Sequence, residues 1–252
     1  MSLPPKPEIW GIDGDVVAYA VSFKSQKEGD DLEDTLLATT AFLRSIINAC
    51  GDEGIIYLTG NNNFRFKEAV EGHPYKGHRK DNPKPAFLAD VRHHMIQEFD
   101  AEVQERQEAD DALSIAACTL GYGIATIDKD LNGCPGWHYN WRKEEVYYVS
   151  ELEANRFFYE QMLTGDPTDN IPGLYKMVGQ KATAKIKAPL EEMTDPTEMF
   201  NYVRGVYLDG YEKVGMCLDE KEEVVDRWLL GMGRCLWMRR EEGEMWGFPS
   251  GT

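Results

Sequence analysis

Four groups of acidic residues set the chemistry open to this 252-residue chain. They are Asp13; Glu108, Asp110 and Asp111; Asp128 and Asp130; and Asp166 and Asp169. Most follow an apolar run or open a stretch with helical spacing, where a fold displays side chains. Gathered in one pocket, eight carboxylates would repel and raise one another's pKa. Bound cations relieve that repulsion. Oxygen-only ligands select hard ions such as Mg2+ or Mn2+. Two such ions about 4 Å apart can activate water and stabilise the leaving oxygen of a phosphodiester. The plainer reading is that acids cap helices and solvate loops. Asp15 is read that way, as a turn or cap residue.

Two basic islands supply a second kind of chemistry. Residues 75–80 read YKGHRK. Lys76 and Arg79, three apart, can grip a phosphate, and Tyr75 beside them can stack a terminal base. Lys80 and Lys84 extend the charge. Residues 165–186 read GDPTDNIPGLYKMVGQKATAKI. Gly179 lets backbone N–H groups come close to a ligand, and the Lys-rich helix that follows turns its N-terminus toward a phosphate. Lys181, Thr183 and Lys185 lie around that point. The plain alternatives are a solvated loop and a helix-turn-helix packing unit. The islands matter because the net charge is −17, which opposes binding of a polyanion. From 171 to 189 there are four lysines and no acid, and from 65 to 92 seven Lys and Arg stand against four acids.

The elements that must position these groups follow from periodicity. Residues 8–12, 54–58 and 122–127 read as strands, 101–105 as a short one and 146–149 as one more. Residues 31–49, 85–99 and 110–120 read as amphipathic helices. Strands alternating with helices predict a parallel α/β sheet, with Asp13, Thr59-Gly60 and Asp128 at strand C-terminal ends. After Asn140 helices dominate. Ser150 and Glu153 open one to about Leu163, Asp195-Pro196 opens another, and 219–240 is helical. The length suits one α/β domain, or a core with a helical extension. Hydrophobic content of 42% and charged content of 28% are those of a globular protein. No run of 18 apolar residues predicts a membrane span, and the polar, Pro-rich start predicts an intracellular, cytoplasmic protein. Five widely spaced cysteines, with no CxxC pair, predict free thiols and no zinc site. The five histidines show no helical i,i+4 pair, so none is assigned a metal.

EADD (108–111), DKD (128–130), YKGHR (75–79) and GDPTDNIPG (165–173), in these positions, resemble the 5′-nucleases. That family includes flap endonucleases, the 5′-nuclease domain of bacterial DNA polymerase I and small phage 5′→3′ exonucleases. The resemblance runs from about Gly11 to Ile186. It implies a PIN-like parallel sheet flanked by helices over 1–150, with an arch near 76–98. It implies a helix-three-turn-helix element near 160–187 that binds the duplex backbone and often holds K+, within a helical region, 151–252, packed on the core. It implies two divalent ions held by acids matching Asp13, Glu108, Asp110, Asp111, Asp128, Asp130, Asp166 and Asp169, with Lys76 and Arg79 on the scissile phosphate. The implied partner is double-stranded DNA with 5′ ends or flaps, or an RNA/DNA hybrid. Two departures stand out. Thr59-Gly60-Asn61 lies where the family has an acid, so Asn61 is a candidate amide ligand. Residues 174–178 are longer than the family's usual turn. Rival readings are a haloacid-dehalogenase-type phosphatase built on Asp13-Gly14-Asp15, and a catalytically weakened binder of DNA structures.

Overall fold

The computed structural model describes residues 3–51, 53–79, 82–215 and 218–249. Lys80, named above, and Cys217, one of the five cysteines, lie outside the described residues. In chain order the elements are β1 (Ile9–Asp13), α1 (Gly14–Glu28), α2 (Leu32–Cys50), β2 (Glu53–Thr59), α3 (Arg65–Glu68), α4 (Leu88–Phe99), β3 (Glu102–Gln104), α5 (Ala109–Leu120), β4 (Gly123–Ala125), β5 (Gly136–Asn140), β6 (Glu145–Val149), α6 (Glu151–Thr164), α7 (Leu174–Val178), α8 (Ala184–Glu192), α9 (Pro196–Lys213) and α10 (Lys221–Leu236). Short 3-10 turns occupy Gly77–Arg79, Lys129–Gly133 and Leu218–Glu220. Two compact units emerge. The first comprises residues 1–63, 83–151 and 238–243; the second comprises 64–82, 152–237 and 244–252. Among the described residues no helix is long and apolar enough to cross a membrane.

The first unit holds a six-stranded sheet in the order β3-β2-β1-β4-β5-β6. Every neighbouring pair is parallel except β5 and β6, an antiparallel hairpin at one edge. The expected parallel α/β sheet is therefore present, and it is flanked by helices. The strand predicted at 146–149 is β6; its partner β5, which sequence periodicity did not reveal, precedes it. Alternation along the strands sends Trp10, Ile12, Ile56 and Leu58 to one face, where they pack with Val17, Leu43, Val91 and Met95 from α1, α2 and α4. Tyr57 and Ile124 face the other way, against Leu113 and Ala116 of α5. Each fully buried aliphatic side chain contributes about 1.5–3 kcal/mol. The helices start on acidic caps. Asp13 accepts from the Val16 N–H at 3.0 Å to open α1, and Asp31 accepts from the Asp34 N–H at 3.0 Å to open α2.

The second unit is helical. Phe158, Met162, Leu174, Phe200, Val203, Tyr207, Leu229 and Met232 belong to one buried cluster. Two of its buried polar side chains find partners from within. The buried Tyr207 hydroxyl donates to the Met162 carbonyl at 2.7 Å. Arg65 is 0% exposed and its guanidinium donates to the Cys235 and Trp237 carbonyls at 2.9 Å each. It thereby caps the carboxyl end of α10, whose last carbonyls have no helical partner. Helix α9 opens as the sequence predicts, with Asp195 accepting from the Thr197 N–H at 2.8 Å and Pro196 at its first position. Helix α10 runs from 221 to 236 rather than to 240, because Trp237 leaves the helix as an extended C-cap.

Between α6 and α7 the chain makes a tight loop, closed by a backbone bridge in which Asp166 and Ile171 exchange both hydrogen bonds, at 3.0 and 2.8 Å. Two glycines form its neck. Gly165 has a φ of +69°, and a Cβ on Gly173 would come within 2.3 Å of the Thr164 carbonyl. No side chain fits there. Residues 174–178, longer than a simple turn requires, form the helix α7, and Gly179, at φ +69°, caps it. Thr183 is then the N-cap of α8, which carries Lys185 and Lys187.

Candidate active site

Three expected carboxylates of the first unit sit where β1 and β4 end. Asp13 is the last residue of β1 and is 1% exposed. Its Oδ2 accepts from the Thr126 hydroxyl at 2.8 Å. The Thr126 oxygen in turn accepts from the Asp128 N–H at 2.9 Å, and Asp128 accepts from the Asp130 N–H at 2.9 Å. One threonine, which sequence reasoning did not single out, thus links the carboxylate at the end of β1 to the loop after β4. Burial pushes the Asp13 carboxyl up from 3.8 to about 7. Hydrogen bonds from the Val16 N–H and the Thr126 hydroxyl oppose the rise, whereas the charges of Asp15 and Asp128 add to it.

The next acids open α5. Glu108 is the N-cap and forms a reciprocal capping box with Asp111. Asp111 is 0% exposed; its Oδ2 accepts from the Glu108 N–H at 3.1 Å and its Oδ1 from the Arg239 N–H at 3.2 Å. Asp110, one position earlier, is half-buried. Asp15 departs from the sequence reading. Asp13 provides the cap of α1, and Asp15 instead accepts from the Thr59 N–H at 2.9 Å and pairs with Arg92.

Position 60 is closed to any acid. A Cβ there would lie 2.7 Å from the Gln104 carbonyl and 2.8 Å from Glu105 Oε1. The Glu105 carboxylate leans over this glycine and accepts from the Asn61 N–H at 3.3 Å.

In the second unit the basic motif and the GDPTDNIPG loop meet. Asp169 accepts from the Tyr75 hydroxyl at 2.7 Å and pairs with Arg79 at 3.0 Å and Lys76 at 3.5 Å. The backbone supports the same contact. Lys76, with φ at +52°, donates its N–H to the Asp169 carbonyl at 2.8 Å, and the Asn170 amide donates to the Pro74 carbonyl at 3.0 Å. Asp166 is buried and turns its carboxylate onto the Thr168 N–H at 2.8 Å. Lys181, Thr183 and Lys185 are exposed around the start of α8, and Lys84 is exposed in the first unit. Arg92, counted in the first basic island, is committed to Asp15 and to the Thr59 carbonyl, so its charge is not free.

Among the described residues no three His, Cys, Asp or Glu side chains are drawn together into a ready metal cage. The donor set of the first unit nonetheless suits a hard divalent ion. Its donors are carboxylate oxygens, and the buried Asp13 carboxyl, held up to about 7, is one whose ionised form a cation would stabilise. The phosphatase reading needs a strand ahead of Gly165-Asp166, and α6 occupies that place.

No family model matches the chain, and no curated protein matches it. Among solved structures it is similar to the catalytic core of Rad2 in complex with DNA substrate, at 11% identity and a TM-score of 0.53. The match covers 97% of this chain and 84% of that one. The chain shares the fold of that catalytic core, a mostly parallel six-stranded sheet flanked by helices.

Proposed function

We propose that this protein is a divalent-metal-dependent 5′-nuclease that hydrolyses DNA phosphodiesters at or near a 5′ end. The observation that carries the reading is Asp13, a carboxylate buried at the end of a central strand and joined through Thr126 to the Asp128–Asp130 loop. Such a group is costly in a metal-free protein and useful in a metal-bound one. The shared fold of a catalytic core solved with its DNA substrate supports the same reading.

Asp13, Glu108, Asp110, Asp111, Asp128 and Asp130 would hold Mg2+ or Mn2+, and the motif resemblance gives Asp166 and Asp169 the same duty. When bound, the ions supply activation of water and stabilisation of the phosphate oxygens. Lys76 and Arg79 balance charge on the transferring phosphate. Both are paired with Asp169 in the structure, so a phosphate binds them by exchanging with that carboxylate. Tyr75 is 3% exposed, so its ring belongs to the core rather than to a stacking surface, and its hydroxyl holds Asp169 in place. Gly179, Lys181, Thr183 and Lys185 grip a backbone phosphate without reading sequence, and the adjoining turn would take K+. Lys80 and Lys84 add charge. The net charge of −17 makes affinity rise with divalent metal and fall steeply with salt.

A duplex labelled at its 3′ end, with and without a 5′ flap, tests the proposal in EDTA, Mg2+ and Mn2+. Metal-dependent loss from the 5′ side is expected, and the product ladder separates exonuclease from flap cutting. An RNA/DNA hybrid run alongside reports strand preference. Binding in Ca2+ without cleavage in Mg2+ or Mn2+ would replace the nuclease by a binder of DNA structures. Hydrolysis of a generic phosphomonoester alone would refute the proposal.

A further inference from the structure

The acids on α5 can serve one site only if the start of that helix is fixed relative to β1. The structure contains a device that does this, built from three residues remote in sequence. Asp15, in the first turn of α1, accepts from the Thr59 N–H at 2.9 Å. The other oxygen of the same carboxylate pairs with the Arg92 guanidinium. Arg92 also donates through Nη2 to the Thr59 carbonyl at 2.5 Å. One acid–base pair, from α1 and α4, thus holds both backbone polar groups of the last residue of β2. The side chain of that residue is then directed at α5: Thr59 Oγ1 accepts from the Ala109 N–H at 2.9 Å. Ala109 is the first residue of α5, and its N–H has no partner inside the helix. Glu108 precedes it and Asp110 and Asp111 follow.

We infer that Asp15, Arg92 and Thr59 form a positioning relay that sets where Glu108, Asp110 and Asp111 stand, and so sets metal affinity. The inference rests on the nuclease reading. None of the three is among the residues assigned to metal or substrate. Thr59 acts through the helix start, and Asp15 and Arg92 act through Thr59. The pairing also accounts for one acid and one base that ligand roles leave over: Asp15 two residues beyond the cap, and Arg92 in a basic segment.

The test compares full-length Thr59→Val, Thr59→Ser, Asp15→Asn and Arg92→Met, with Thr59→Val combined with each of the last two. Mn2+ affinity is measured by electron spin resonance titration, and kcat and KM are measured on a 5′-flap duplex in Mg2+. Thr59→Val is close in shape to threonine and removes only the hydroxyl; circular dichroism checks its fold. It is expected to weaken Mn2+ binding about tenfold or more and to lower kcat at fixed Mg2+, with KM for DNA nearly unchanged. Thr59→Ser, which keeps the hydroxyl, is expected to stay within about threefold of wild type. Asp15→Asn and Arg92→Met are expected to reproduce the Thr59→Val loss, and the double variants to lose no more than the singles. Wild-type Mn2+ affinity in Thr59→Val overturns the relay, as does a Thr59→Ser as impaired as Thr59→Val. Losses that multiply in the double variants overturn it too. Those results leave the nuclease reading standing, because wild type still binds Mn2+ and cuts. A wild-type protein that neither binds Mn2+ nor cleaves overturns both.

Discussion

Replacing Asp13 by Asn should stabilise the metal-free protein at neutral and alkaline pH while removing its response to metal. An unfolded chain ionises this carboxyl near 3.8, whereas the native protein holds the proton to about 7. Between those values the native state binds more protons than the unfolded state, so stability falls as pH rises. The span is about three units, or about 4 kcal/mol once both states are ionised. Asparagine cannot ionise and escapes the whole loss. It keeps the contact with the Val16 N–H but turns an amide toward the Thr126 hydroxyl, which already accepts from Asp128. That mismatch costs about 1–2 kcal/mol. The variant should therefore gain about 2–3 kcal/mol over wild type at pH 8, and be equal or slightly weaker at pH 4. Urea melts in EDTA at both values measure it. A difference between variant and wild type that is the same at pH 4 and pH 8 would refute the reasoning. Added Mg2+ should raise the stability of wild type, as any ligand of the native state does, and leave Asp13→Asn unmoved.

Arg79→Ala should lower kcat/KM for a flap duplex by about a hundredfold, the usual effect of removing one charge-stabilising donor; unchanged kinetics would detach Arg79 from the reaction. His138 gives an acid-side effect. Burial lowers its pKa from 6.5 to about 4, and the hydrogen bond between Nε2 and the Cys134 carbonyl at 2.9 Å only partly opposes the fall, the buried Nδ1 having no hydrogen-bond partner. The unfolded state then binds more protons between those values, so about 3 kcal/mol of stability is lost as pH falls from 6.5 to 4. Urea melts of His138→Phe, which should lack that part of the decline, check it. Gly173→Ala places a Cβ 2.3 Å from the Thr164 carbonyl and should cost about 3 kcal/mol or more in denaturant melts; a wild-type midpoint would mean that the neck of the loop yields easily.

The sequence shows the carboxylates well because each lies at an element boundary that local patterns mark. Asp13 ends an apolar run, Glu108 and Asp111 form a capping box, and Gly165 and Gly173 bracket the loop. Helix α1 was not legible. It buries Gly14, Val17, Ala18, Ser22 and Ser25, small and partly polar residues that leave almost no hydrophobic periodicity. Strand β5 escaped for a related reason, since Gly136, His138 and Asn140 are weak strand formers that the pairing with β6 holds in place. The supporting groups were hidden because their contacts join distant positions. Thr59 meets Asp15 across 44 residues and Thr126 meets Asp13 across 113. Asp169 illustrates a different limit. Its spacing suggested a ligand, and only the folded chain reveals Tyr75, Lys76 and Arg79 around it.

The bond from the Arg239 N–H to Asp111 spans 128 residues. On a ribosome, α5 emerges long before that donor does. Until residue 239 is released, one oxygen of a fully buried carboxylate lacks its native N–H, so the helix carrying the EADD motif cannot reach its final state early in synthesis. The start of α5 is thereby tied to the arrival of residue 239. A product stopped before Met238 would still contain every carboxylate of the motif, yet hold Asp111 in a less stable setting. Truncation or cleavage ahead of residue 239 would therefore remove a partner of Asp111 while leaving every residue of the motif in place.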